Sequence, residues 1–527
     1  MAQLIHDFIF DSARRAPLAE ALSYQGVGLN YGTLAQMVSV AAAALIAQGL
    51  ARGERVAVYL EKREESVAAL FGAAAAGGVF VPVNPLLKVG QVAYILRDCN
   101  ARILVTSRER LNLLAGELAD CPDLRSVIVL GAMSGLPALP GVAVVSWRVC
   151  MQASPAGRAP RCIDADVAAI LYTSGSTGQP KGVVLSHRNL VAGALSVSAY
   201  LDNRAEDRLL CVLPLSFDYG LSQLTTAFAS GACAVLMNYL LLRDIIDLVE
   251  RERITGLAAV PPLRIPLSQL SWHKAGRLRY LTNSGGAMPA HTVQALRAAL
   301  PHTQMYLMYG LTEAFRSTYL APDQLERRPG SIGRAIPNAE VLVLRADGSP
   351  CAPDEPGELV HRGALVAMGY WNDPARTAER FRPLPPRAAG LPLAELAVWS
   401  GDTVRRDEDG YLYFIGRSDD MIKTSGYRVS PTEVEQAVYA TGLVAEAAAL
   451  GVPHPLLGQA IVLLAVADES ATLDAAQLLA ACKAALPGYM VPAWIDLRRA
   501  LLPRNPNGKI DRQSLAAAFS RLFADVA

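Results

Sequence analysis

Short apolar runs alternate with amphipathic stretches through residues 1–160. RVAVYL (55–60), ARILVT (101–106) and LRSVIVL (124–130) are too short for core helices and read as buried strands, with helices between them. That rhythm predicts helices packed on a largely parallel sheet. It continues through RLLCVLPL (208–215), CAVLMN (233–238) and GLAAVP (256–261) to about residue 344, and compact glycine-punctuated β-like runs follow over 339–414. After Arg417 the pattern changes to short helix and strand units, VSPTEVEQAVYA, AEAAALGV and AIVLLAVA. The expected fold class is α/β: a large N-terminal domain (1–417) of α/β subdomains plus a β-rich subdomain, then a small α+β C-terminal domain (418–527).

The stretch 67–85, VAALFGAAAAGGVFVPVNP, is uncharged and long enough to test as a membrane span. Its internal punctuation argues for a buried helix stopped at Gly77-Gly78 and a short strand closed by proline. Composition agrees with a core-rich globular chain: 527 residues, 52% hydrophobic and 18% charged. A net charge of +1 calls for neither nucleic acid nor an anionic membrane. The eight cysteines are scattered without a C-x-x-C pair, so they read as reduced core thiols, and no zinc site is suggested. The N-terminal segment MAQLIHDFIFDSARRAP lacks the basic flank and unbroken apolar run of a signal peptide, so a cytoplasmic location is expected.

The most informative loop is ILYTSGSTGQPKGVVLS (170–186), an apolar strand opening into Thr173, Ser174, Gly175, Ser176, Thr177 and Gly178, then Lys181. Unobstructed backbone N–H groups, several hydroxyls and one cation are what a polyphosphate requires. A Walker P-loop would place glycine directly before the lysine and Ser/Thr directly after it. Here Pro180 precedes and Gly182 follows, so the P-loop reading is disfavoured.

With that loop, five further segments resemble the superfamily of adenylate-forming enzymes, which includes acyl-CoA synthetases, nonribosomal adenylation domains and firefly luciferase. They are NSGGAMP (283–289), YGLTE (309–313), SGD (400–402), GRSDDMIKTSGYRVSPTEVE (416–435) and NPNGKIDR (505–512), in the family's order and across essentially the whole chain. The resemblance implies that Gly285, Gly286 and Ala287 line one face of an adenine and Tyr309, followed by Gly310, the other. It implies that Thr312 touches the α-phosphate, Glu313 holds Mg²⁺, and Asp402 takes the ribose hydroxyls with Arg417 assisting. Lys509 would reach the substrate carboxylate and α-phosphate from a small domain that rotates about Asp419, which in turn brings the Gly426 loop to the site. Lys181, Thr312, Glu313 and Lys509 are thus the expected catalytic set, with ATP and Mg²⁺ as cofactors.

The implied reaction joins a carboxylic acid to a thiol through an acyl-adenylate. Similarity is greatest to AMP-forming acyl-CoA ligases associated with the exosortase A system, and stand-alone prolyl-carrier-protein ligases are similar around FDYG. The thiol is therefore either CoA or carrier-protein phosphopantetheine. Phe217, Asp218, Tyr219, Ser222, Asn283, Met308 and Arg316 are the expected pocket for the acid. A buried Asp218 needs a partner, which is either a substrate ammonium or Arg316; Arg316 could instead bind a second carboxylate on the substrate. An amino-acid:carrier-protein ligase is the alternative within enzymes. Luciferase-like oxygenation and a non-catalytic binding protein are the remaining readings.

Overall fold

The computed structural model of the chain describes residues 2–152, 160–173, 179–272, 275–286, 288, 290–384, 394–417, 421–467, 474–503, 510 and 512–524. Three sheets organise them, two in a large N-terminal body and one in a smaller C-terminal domain.

The first sheet runs in the order Ala143–Ser146, Ser126–Leu130, Ala101–Ser107, Arg55–Tyr59, Val79–Pro82, Val167–Thr173, Lys181–Ser186. Its pairings are parallel except for the last, an antiparallel hairpin in which Thr173 lies opposite Lys181. The stretch 67–85 contributes the helix Glu64–Ala75 and the strand Val79–Pro82, as its punctuation predicts. Among the described residues no helix is long and apolar enough to cross a membrane. The cysteines are free thiols, buried except for half-buried Cys162.

The second sheet has fourteen strands among the described residues. Glu20–Tyr24, Cys233–Leu236, Arg208–Cys211, Gly256–Ala259, Tyr280–Asn283 and Gln304–Tyr309 pair in parallel in that order. From Gln304–Tyr309 the sheet continues antiparallel through Thr318–Leu320, Ser331–Ala335, Leu412–Arg417, Leu396–Arg406, Gly357–Gly363 and Ala339–Leu344. The β-like runs of 339–414 therefore extend the parallel sheet rather than forming a separate one.

Each sheet of the large body has a place where neighbouring strands send their connections in opposite directions. In the first, Arg55–Tyr59 leads to Val79–Pro82 on one side and Ala101–Ser107 leads to Ser126–Leu130 on the other. In the second, Arg208–Cys211 leads to Cys233–Leu236 and Gly256–Ala259 leads to Tyr280–Asn283, again diverging. Such divergence opens a crevice at the carboxyl ends of the strands. A cavity of about 590 Å³ is lined from both, by Leu60 and Lys62 beyond one pair and by Leu213, Phe217, Val260 and Leu263 beyond the other.

The C-terminal sheet is ordered Tyr427–Val429, Ile422–Thr424, Gly458–Ala467, Val444–His454, with Trp494–Arg498 beside Gly458–Ala467. Alternation decides its two faces. Ala447, Ala449, Ile461, Leu463 and Ala465 pack on Pro431–Tyr439 and Ala475–Ala485. Ala448, Leu450, Val462 and Leu464 pack on Leu502, Leu515 and Phe523.

Candidate active site

Glu313 lies in a 3₁₀ turn, Thr312–Ala314, just beyond the end of the parallel strand Gln304–Tyr309. Its side chain is 1% exposed. Lys181, across the first sheet's hairpin from Thr173, donates from Nζ to Glu313 Oε1 at 2.9 Å and to the Tyr370 hydroxyl at 2.7 Å. Tyr370 donates in turn to the same Oε1 at 2.6 Å. Burial would raise the Glu313 carboxyl, but the Lys181 charge, with Arg428 and Arg380 behind it, holds it well below the ordinary carboxylate range. Burial lowers the Lys181 ammonium to about 8, with Glu313 opposing that shift and Arg428 adding to it. Three cations thus act on one carboxylate, a field suited to a polyanion. Glu313 Oε2 is buried with no hydrogen-bond partner among the described residues, as is Thr173 Oγ1. A bare carboxylate oxygen fits a hard cation such as Mg²⁺.

Tyr309, at the end of the same strand, donates its hydroxyl to Asp402 Oδ2. Asp402 is buried on Leu396–Arg406, and its backbone lies in register with that of Arg417. Asn283 closes the neighbouring parallel strand, and its Nδ2 lies 3.4 Å from the Gly286 carbonyl. The residues expected around a nucleotide therefore converge at the carboxyl ends of adjacent strands. The C-terminal domain reaches the same place. Its hairpin turns at Ser425 (φ 53°) and Gly426 (φ 79°), the two positive φ values of a type I′ turn. A Cβ at Gly285 would lie 3.7 Å from the Gly426 carbonyl, and Gly426 also walls the 590 Å³ cavity with Tyr427. Gln91 Nε2 donates to Glu433 Oε1 at 3.0 Å across the same approach.

Asp218 begins the helix Asp218–Ser230, is buried, and faces Arg316, whose Nη1 lies 3.4 Å from its Oδ2. Burial raises the Asp218 carboxyl and the Arg316 charge only partly offsets this. Of the two sequence-level partners for Asp218, the structure places the internal one beside it. A rare turn aims Arg316 there. Phe315 has φ 56° and ψ −51°, and the Arg316 N–H donates to the Ala314 carbonyl at 2.6 Å, which makes a positive-φ γ-turn. Such a conformation costs about 1–3 kcal/mol and persists only where packing over-determines it. Here the fully buried Phe315 ring fills the space beside Gly193, where any Cβ would come within 2.5 Å of the ring. Tyr219 stacks under the Arg316 guanidinium at 4.3 Å and bonds Thr282 at 2.6 Å. Met308 Sδ lies 2.9 Å from the Tyr200 hydroxyl, Phe217 packs edge-on to Tyr219, and Ser222 is buried on the next turn of the helix.

Ser174, Gly175, Ser176, Thr177, Gly178, Ala287, Asp419 and Lys509 lie outside the described residues. Sequence reasoning gave no role to Tyr370, Arg380, Arg428 or Arg264. Tyr370 stands 189 residues from Lys181, and only its place inside the GYWNDP segment could have drawn attention to it.

The AMP-binding enzyme family matches residues 9–371, and the AMP-binding enzyme C-terminal domain matches 433–509. One component of the linear gramicidin synthase of Brevibacillus parabrevis is 31% identical over 97% of this chain, which spans only 10% of that relative's length. L-proline--[L-prolyl-carrier protein] ligase of Pseudomonas fluorescens is 32% identical over 98% of this chain and 99% of its own. The solved structure of o-succinylbenzoate CoA synthetase from Bacillus subtilis has a TM-score of 0.83 over 96% of this chain and 97% of its own; at 24% identity it shows a shared fold.

Proposed function

The chain belongs to the AMP-binding enzyme family, and from that premise we propose that it activates an amine-free carboxylic acid as an acyl-adenylate and passes it to a thiol, as an AMP-forming acid–thiol ligase. The observation that carries the reading is the buried Glu313 carboxylate, fixed through one oxygen by Lys181 and Tyr370 and without a partner at the other among the described residues, at the strand ends where Tyr309 and Asp402 also meet. ATP would lie between Tyr309 and the segment Gly285-Gly286, its ribose at Asp402 and its phosphates towards Lys181. Mg²⁺ held at Glu313 Oε2 would neutralise phosphate charge. A carboxylate is a poor electrophile and meets a second anion at the α-phosphorus, so cations positioned where charge builds stabilise the transition state more than the ground state.

The boundary near 417/418, the hinge at Asp419 and the entry of Lys509 in the first half-reaction belong to the same proposal. The Gly426 turn approaches Gly285, an arrangement that suits the thiol-accepting half-reaction. The cavity leading from Gly426 past Val260 and Leu213 to Leu86 would admit the arm of CoA or of carrier-protein phosphopantetheine in a cytoplasmic enzyme. The alternative, an amino-acid:carrier-protein ligase, draws on the prolyl relative, but an ammonium seeking Asp218 would have to sit beside the Arg316 cation.

The test is ATP–pyrophosphate exchange across amine-free acids and amino acids. Lys509→Ala should cut acid-dependent exchange by about 10² or more while ATP still binds. Near-normal exchange by that variant would sink the adenylation mechanism, and exchange driven by an amino acid and abolished in Asp218→Ala would replace the main reading with the alternative.

A further inference from the structure

Charge at the expected acid pocket does not balance. Asp218 is its one described carboxylate apart from the Lys181-bound Glu313, yet two guanidinium groups flank Tyr219, Arg316 at 2% exposure and Arg264 at 1%. Arg264 is held by two backbone carbonyls, those of Leu257 at 2.9 Å and Thr282 at 3.0 Å, and its Nη1 meets no partner among the described residues. Arg316 makes a single long contact to Asp218 through Nη1, and its Nε and Nη2 are buried without hydrogen-bond partners among the described residues.

An arginine kept only to answer Asp218 would present its planar fork to both carboxylate oxygens. Here one edge of the fork, Nε with Nη2, points elsewhere. Nη1 lies 3.6 Å from the Cβ position at Gly310, so the guanidinium sits against the YGLTE turn that carries Thr312 and Glu313. The γ-turn at Phe315 holds it there at a conformational cost. A buried guanidinium with two donors unpartnered among the described residues, set beside the turn that carries Thr312 and Glu313 by a strained backbone, is a ligand site in search of an acceptor.

We propose that the acid this enzyme activates carries a second anionic group, and that the Nε–Nη2 edge of Arg316 binds it while Nη1 stays on Asp218. The inference rests on the adenylation reading and names the substrate class of the same site. An acid with an apolar tail would leave the Nε and Nη2 donors unpaired in a dry pocket, and one with an ammonium would add a third cation beside Arg316 and Arg264.

The experiment is ATP–pyrophosphate exchange by the full chain with short straight-chain dicarboxylates, each matched by the monocarboxylate and the ω-amino acid of equal length. Dicarboxylates should lead. Arg316→Met should cut kcat/KM for the best dicarboxylate by about 10², mostly through KM, so that its lead over the matched monocarboxylate collapses, and should be partly rescued by Arg316→Lys. Because Arg316→Met strands Asp218, the double variant D218N/R316M removes both charges together. It should melt like the parent and show the same selective loss. Exchange led by a monocarboxylate or an amino acid, or a dicarboxylate rate indifferent to Arg316, overturns the second-anion proposal while leaving the ligase standing. Absence of exchange with every acid, in a protein that still binds ATP, overturns the adenylation reading and this inference with it.

Discussion

Lys181 is a cation whose charge is set by its surroundings. Its side chain is 10% exposed, and burial brings the ammonium down to about 8 despite Glu313 at 2.9 Å. A bound polyphosphate would favour the protonated form, so binding should take up a proton wherever the free lysine has lost one. The sign follows: ATP affinity should hold below about pH 8 and fall as pH rises through it, and Lys181→Ala should bind weakly at both ends with the slope gone. Calorimetric titration with Mg–ATP from about pH 7 to about pH 9.5 reads this directly, and a flat profile in the parent would remove Lys181 from the phosphate site. At this scale contiguous segments let the sequence name Lys181, Glu313 and Asp402, and the structure brings Lys181 to Glu313 and Tyr309 to Asp402. It was silent on Tyr370, because a lone tyrosine distant along the chain carries no sign that two charged groups converge on its hydroxyl. Arg316 could be named, but its direction could not. That direction comes from a phenylalanine at positive φ, a choice that runs against local preference and is enforced by packing beside Gly193.

Among the elements, the hairpin Ile422–Thr424 and Tyr427–Val429 has the clearest functional consequence, because its turn meets the other domain through a residue without a side chain. A Cβ at Gly426 would lie 2.8 Å from three carbons of Val260, and the φ of 79° already disfavours any other residue. Val260 ends the connection after Gly256–Ala259 and is buried, so it has little room to yield. Gly426→Ala should therefore push the hairpin off the crevice and leave alone the strand ends proposed to hold ATP. Acid-dependent pyrophosphate exchange should stay within about twofold of the parent while thioester formation drops about tenfold or more. Equal loss of both half-reactions would show that the turn serves adenylation too. Element types were legible because strand and helix periods differ along the chain, as in the stretch 67–85. The junction at Gln304–Tyr309 was not legible, because whether the β-rich runs join the parallel sheet depends on pairing between distant segments, and hydrophobic period is silent on that.

For the molecule as a whole, two buried histidines tie distant segments together in neutral form. His187 Nδ1 accepts the Ile5 N–H at 3.1 Å, which anchors the N-terminal segment, and His361 Nδ1 pairs with Ser317 Oγ at 2.9 Å inside the second sheet. Burial depresses both imidazoles to about 4, with His6 adding to the shift at His187. An unfolded chain takes up protons at these positions from about pH 6.5 downward whereas the folded chain does not. Their contribution is therefore fully present above about pH 6.5 and is lost progressively as pH falls towards about 4, by up to about 3 kcal/mol for each group. That is a large share of the roughly 5–15 kcal/mol by which a domain is stable. Melting of the N-terminal body should fall steeply between about pH 6.5 and about pH 4.5, and His361→Gln, which cannot titrate, should flatten the slope even if it lowers the melting temperature at neutral pH. A variant that melts with the parent's slope would place the acid sensitivity in the carboxylates instead. Such a result would mean that the fold is clamped at its paired Asp and Glu residues, and that the neutral histidines inside it are packing groups whose protons never enter the balance.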